Sequence, residues 1–362
     1  MTEIRIFIAL LFLLSFSKAS ASPQEEPREL PTVSLETGAK NHAEYSVLAK
    51  MAQARRNDGF TVLVWNVQGA GVDPRTLNHN LSAVIGSEMT RPSMIILLEY
   101  KHNKTFSKAT KSLIDSIYPF RTYYNYNEFR NGPEDRAIFV ASLETPEQEN
   151  LQILDWTSRT DSEEDAEEFR AAWWDSNEKA AEDFKRPLGK FVYEIGGQKI
   201  AISGIHLNNP WAFIRNKKYG NADLACCFFL GKENPSLNQV IRLVGVVKKW
   251  EEPALIAGDF NISHKANLLV DPDLRWLDSA GFLTLDGALT DIKVEHRPTF
   301  PTPSAEKLRR FRSKKAGRDY EPLPKVEIDH SWVSKGFPFK AKSFSVDWSG
   351  SDHRAQVIVV EP

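Results

Sequence analysis

The sequence predicts an α/β protein in which two packed β-sheets are covered by helices on their outer faces. Nine short apolar runs rich in β-branched residues recur along the chain, each of strand length and too apolar to leave both faces in water. Two stretches between them carry apolar residues at three- and four-residue spacing, the period of an amphipathic helix. Several of the runs end in a lone Asp, Glu, Asn or His, which suggests side chains collected along one sheet edge.

The expected strands are "FTVLVWNV" (60–67), "SMIILLEY" (93–100), "RAIFVAS" (136–142), "KFVYEI" (190–195) and "KIAISGIHL" (199–207), followed by "PALIAGDF" (253–260), "IDHSWVS" (328–334), "AKSFSV" (341–346) and "AQVIVV" (355–360). The expected helices are "TLNHNLSAVIGSEM" (76–89) and "SLNQVIRLVGVVKKW" (236–250), the second with Ser236 as a natural N-cap. Ahead of the strands, Arg5, the apolar run Ile6–Leu14 and the small residues Ala19-Ser20-Ala21 follow the order of a secretory signal peptide, read as residues 1–21. Residues 22–58 are polar and rich in Pro and Glu, and read as a leader before a catalytic domain at 59–362. The mature protein is therefore expected to be secreted or periplasmic.

Composition narrows the partners. The chain has 362 residues, 26% of them charged, with a formal net charge of −2, so attraction to a polyanion must be local. The only cysteines, Cys226 and Cys227, are adjacent and read as small buried residues. The stretch 161–185 is acidic, whereas "AEKLRRFRSKKAGRD" (305–319) carries Lys307, Arg309, Arg310, Arg312, Lys314, Lys315 and Arg318. This basic run reads either as a solvated loop or arm, or as a contact for phosphates. Asn80 and Asn103 stand in glycosylation sequons.

The polar strand ends are Asn66, Glu99, His206, Asp259 with Asn261, Asp329 with His330, and Asp352 with His353. Together they make an oxygen-rich set with almost no thiol, which suits a hard divalent cation such as Mg²⁺, with Mn²⁺ or Ca²⁺ as alternatives. Carboxylates, a hard cation and proton-carrying histidines are equipment for attack on a phosphate ester. Because neighbours on a strand alternate, Asp259 and Asn261 are expected to face one way, with Phe260 in the core and His330 turned away from the site.

The ordered motifs "WNVQG", "IILLEY", "GIHLNN", "GDFN", "IDHSWVS" and "GSDH" resemble the endonuclease/exonuclease/phosphatase superfamily from about Thr61 to Val360. The resemblance implies a four-layered α/β sandwich, two mixed sheets flanked by helices. It implies metal ligation by Glu99, with Asn66 and Asp352 in support. It also implies that His206 contacts the scissile phosphate, that Asp259 orients or deprotonates water, and that Asn261 binds phosphate. Asp329 would pair with His353, a general base or transition-state donor. Asn208 and Arg136 are expected to touch the substrate. Leu98 stands where the superfamily usually has Gln. "WNVQG" with the later "GNAD" also resembles the catalytic subunit of cytolethal distending toxins. The implied activity is metal-dependent phosphodiester hydrolysis, most simply of DNA. A phosphatase or phospholipase C-type enzyme on inositol phosphates or sphingomyelin is the alternative, and a silent binding subunit a second.

Overall fold

The computed structural model describes residues 41–67, 73–101, 105–126, 137–154, 186–207, 235–262, 281–317, 319–320, 322 and 325–362. Two six-stranded sheets face each other. The first has the order β11-β12-β1-β2-β4-β3, the second β5-β6-β7-β8-β10-β9. Their strands are β1 (Phe60–Asn66), β2 (Met94–Tyr100), β3 (Phe120–Asn125), β4 (Ala137–Ser142), β5 (Gln148–Leu154) and β6 (Arg186–Ile195). The remainder are β7 (Gln198–His206), β8 (Ala254–Asp259), β9 (Leu289–Asp291), β10 (Asp329–Ser334), β11 (Lys340–Val346) and β12 (Ala355–Glu361). Both sheets are mixed: β1 runs parallel to β2 and β7 parallel to β8, while the other pairings are antiparallel.

Three apolar layers explain why the central strands are continuous hydrophobic runs. Val62, Val64, Ile96, Leu98, Ile202, Leu255 and Ile358 meet between the sheets. Leu63, Trp65, Ile95, Leu97 and Val357 point outward against α1 (Asn41–Arg56), α2 (Pro74–Gly86) and α3 (Lys108–Ile117). On the far side Ile205, Ile256, Phe260 and Trp332 pack against Val240, Leu243 and Val247 of α4 (Pro235–Val247). The layer order is thus helix, sheet, sheet, helix, as expected. The sheets approach closely at Gly204 of β7, where an added Cβ would lie 2.2 Å from Ile96 Cγ2 of β2.

Several elements differ from the sequence reading. Residues 41–56, expected within a leader, form α1, which buries Val47, Met51 and Ala54 against the first sheet. β3, β5, β9 and α3 were not anticipated, and α4 starts at Pro235, which leaves Ser236 inside the helix rather than at its cap. The basic run is α5 (Pro303–Lys315) and not a loop: the Thr302 hydroxyl accepts from the Ala305 amide, and Pro303 occupies the first turn. Asn80 lies within α2 and donates its amide to the Trp348 carbonyl, a bond a glycan on that nitrogen would disrupt. Residues 1–40, the acidic stretch 161–185, Cys226, Cys227, Asn103, Arg136, Asn208 and Arg318 lie outside the described residues. Among the described residues no helix is long and apolar enough to cross a membrane.

Candidate active site

The topology brings the polar strand ends to one edge. β1 runs parallel to β2 and pairs its last residue, Asn66, with Leu98, one residue before Glu99, and β7 and β8 pair His206 with Asp259. β10 enters antiparallel beside β8, so that Asp329 faces Asp259 across the ladder. Asp352 and His353 stand just before β12, which pairs with β1. The site is therefore shared: Asn66, Glu99 and His353 ride on one sheet, His206, Asp259 and Asp329 on the other.

Asn66 lies at the join. Its buried amide nitrogen donates to Asp259 Oδ2 at 3.1 Å and to Glu99 Oε1 at 3.4 Å. His206 Nε2 is 3.5 Å from both Glu99 Oε1 and Asp259 Oδ2. His353 Nε2 is 3.8 Å from Asp259 Oδ2, and its Nδ1 meets Asp329 Oδ1 and Oδ2 at 3.2 and 3.0 Å. Six of the expected residues, Asn66, Glu99, His206, Asp259, Asp329 and His353, thus converge.

Glu99 in this group, and Asn261 beside Asp259, have left-handed backbone. Glu99 has φ 55° at an irregularity in the β2–β4 pairing between Leu97 and Tyr100. A bulge of this kind re-aims a side chain, at a strain on the order of 1 kcal/mol. Its amide donates to the Tyr126 hydroxyl at 2.9 Å, which fixes the bend. Asn261 has φ 52° and lies beyond the end of β8, so strand alternation does not place it. Instead its amide N–H donates to Asp259 Oδ1 at 2.9 Å, an Asx turn that asparagine tolerates well. Its side-chain amide donates to the Leu207 carbonyl at 2.9 Å. Phe260 is fully buried in the outer core, and His330 is buried beside it with Nε2 2.7 Å from the Ile262 carbonyl. Both point away from the site, His330 by alternation along β10.

Electrostatics sort the titratable groups. Burial alone would push the His353 imidazole down, but Asp329, Asp259 and Asp352 outweigh it and raise it to about 10. Burial raises the Asp259 carboxyl well above the ordinary range, the His353 charge opposing and Asp329 reinforcing the rise. His353 is therefore an imidazolium at neutral pH, and Asp259 keeps its proton up to about pH 8. Because His353 gains its proton affinity on folding, the stability it contributes is full below about pH 6.5 and is lost as pH rises through about 10. In Asp329→Asn the largest attractive charge is gone, so the ring is expected to titrate several units lower. Ring-proton NMR of the variant and the wild type checks this; an unchanged titration refutes the assigned pairing.

A second group of residues holds Asp329 itself, and sequence reasoning missed it. Thr299 Oγ1 accepts from the Asp329 amide at 3.1 Å, and the buried Lys293 ammonium donates to the Asp329 carbonyl at 2.8 Å. Lys293 is paired with Glu327, whose other oxygen lies 3.3 Å from His296 Nδ1. The Phe300 ring lies 4.9 Å from the His353 ring. On the opposite side Tyr126 lies 5.1 Å from His206 and carries the Arg186 guanidinium 5.0 Å above its ring. None of these residues ends an apolar run, and only the fold brings them together.

The donor set fits a hard divalent cation. Among the described residues, the ligand atoms that lie within 4.8 Å of one another belong to Asp259, Asp329 and His353. Both Asp329 oxygens already face His353 Nδ1, and the Asn66 amide nitrogen lies between the Glu99 and Asp259 carboxylates. Asp352 lies beside the group: its carbonyl accepts from the Thr302 amide, and its carboxylate adds to the charge that raises His353.

No protein-family model matches the chain, and none of the curated proteins matches it. Solved structures do. An endonuclease/exonuclease/phosphatase family protein from Leptotrichia buccalis C-1013-b is 12% identical, with 84% of this chain and 100% of that one covered and a TM-score of 0.49. An AP endonuclease from Archaeoglobus fulgidus is 16% identical over 84% and 100%, with a TM-score of 0.48. Sphingomyelinase C from Streptomyces griseocarneus is 16% identical over 84% and 99%, with a TM-score of 0.46. Each is a protein to which this chain is similar, at 12% to 16% identity.

Proposed function

We propose that this chain is a secreted, divalent-metal-dependent phosphodiesterase acting as an endonuclease on DNA. The observation that carries the chemistry is the buried His353–Asp329 pair at 3.0 Å, set across from Asp259 and His206. A hard divalent cation, Mg²⁺ above Mn²⁺ or Ca²⁺, held by Glu99 with Asn66 and Asp259, would neutralise charge developing on the phosphate. The chain's own groups supply the rest. With that cation beside it Asp259 would give up its own proton, and as a carboxylate it would take one from water as the water oxygen bonds to phosphorus. His353, held charged by Asp329, donates to a phosphoryl oxygen, which favours the donor role over that of base. The phosphorus–oxygen bond to the leaving group breaks, and His206 passes its proton to that oxygen. Export is supported by the basic, apolar and small-residue order of residues 1–21.

DNA is favoured over a lipid head group by what stands next to the site. α5 is rooted at the catalytic loop: the Thr302 amide donates to the Asp352 carbonyl at 2.9 Å, and its hydroxyl donates to the Ser351 carbonyl at 2.8 Å. The helix carries six Lys and Arg against one Glu. The mature protein is expected to nick supercoiled plasmid with Mg²⁺ and to lose the activity in EDTA. A folded protein that leaves plasmid intact but hydrolyses sphingomyelin or inositol phosphates overturns the DNA reading.

A further inference from the structure

We infer that one face of α5 is a docking track for a nucleic-acid phosphate backbone, separate from the catalytic residues; the inference rests on the phosphodiesterase reading and deepens it. The helix has two unlike sides. Ala305 is buried, and Leu308 and Arg309 are half-buried, on the side against the protein. Lys307, Arg310, Phe311 and Lys314 are exposed. At 3.6 residues per turn those four fall within one stripe of about 100°. Of the six cations, then, the stripe takes Lys307, Arg310 and Lys314, while Arg309 turns inward.

The spacing suits a phosphate strand. Lys307 and Lys314 are seven residues apart, about 10 Å along the axis, and one strand of duplex DNA offers a phosphate about every 3.4 Å of its axis. Three cations therefore match about three consecutive phosphates. Phe311, 64% exposed in the middle of the stripe, offers a ring for an unpaired base. The helix is polar on its remaining exposed surface, with Lys315 beside the stripe and Arg312 about 150° round from its centre, and presents no apolar face that a bilayer would bury. Through Thr302 the track begins one hydrogen bond from Asp352, so a strand lying along it leads to His353.

The test compares the mature protein with the Lys307→Gln/Arg310→Gln/Lys314→Gln variant. Binding of a fluorescent 12-nucleotide strand is measured in EDTA from 50 to 200 mM salt. The variant is expected to bind at least about 10-fold more weakly, with a plot of log affinity against log salt about 2 to 3 units shallower. Hydrolysis of bis(p-nitrophenyl) phosphate, too small to reach the helix, is expected to stay unchanged. Equal affinity and slope in the two proteins overturn the track, as does binding to anionic phosphatidylserine vesicles but not to the strand. Because the binding arm needs no turnover, an inactive wild type would count against the phosphodiesterase reading and leave the track to be judged by binding alone.

Discussion

His353→Ala is expected to lower metal-dependent plasmid nicking by at least about 10³-fold while the protein stays folded. Two effects combine in that loss. The transition state loses a charged donor in a buried, preorganised position, an interaction typically worth 10²–10³ in rate. Asp329, 2% exposed, keeps its bonds from Thr299 and Lys293 but loses the imidazolium that its carboxylate faced. The negative field around Asp259 is then no longer offset. The fold should survive, because the catalytic loop is also tied down by Trp65 Nε1 donating to the carbonyl of residue 353 at 3.1 Å and by the Ser351 hydroxyl donating to the Asn66 carbonyl. Nicking rates and far-UV circular dichroism measured together decide the matter. A variant that is folded and within about 10-fold of wild type rules out the role given to His353.

The largest expected effect on stability lies one residue from the site. Gly258 has φ 149°, and a Cβ there would stand 2.0 Å from the Ile205 carbonyl oxygen on the neighbouring parallel strand. Backbone is the obstacle, so no rotamer change relieves the clash. Gly258→Ala is expected to cost at least about 3 kcal/mol through strand displacement and strain, a fall in melting temperature of roughly 6 °C or more. Calorimetry would show it. A melting temperature within about 1 °C of wild type would mean that β7 and β8 are not packed as described. The same displacement would shift His206 against Asp259, which pair one position further along.

How much of this could be read from the chain depended on where each residue sits. Strands covered on both faces, such as β1, β2 and β8, read as unbroken apolar runs and were found, together with the polar residues that end them. β5 and β3 lie at sheet edges with most side chains exposed or half-exposed, so their sequences "QENLQIL" and "FRTYYN" carry little apolar signal. α1 was hidden by its charge, although Val47, Met51 and Ala54 recur at four- and three-residue spacing, the signature that could have revealed it. α5 was obscured in the same way, yet Thr302-Pro303 is a helix start in its own right. Asn261 was placed in the site for an incomplete reason: a left-handed turn, not the period of a strand, brings it there. Lys293, Thr299 and Tyr126 act through partners distant in sequence, and no local pattern announces such contacts.

The near-contact of Gly204 with Ile96 has a meaning beyond core packing. Glu99 lies three residues from Ile96 on one sheet, and His206 two residues from Gly204 on the other, and the two catalytic groups face each other at 3.5 Å. The gap between the sheets is thus the jaw width of the active centre. A vise is only as true as its guide, and here the guide is a missing methyl group. Anything that thickens the interior there is expected to widen the distance between His206 and Glu99 and to lower the melting temperature together.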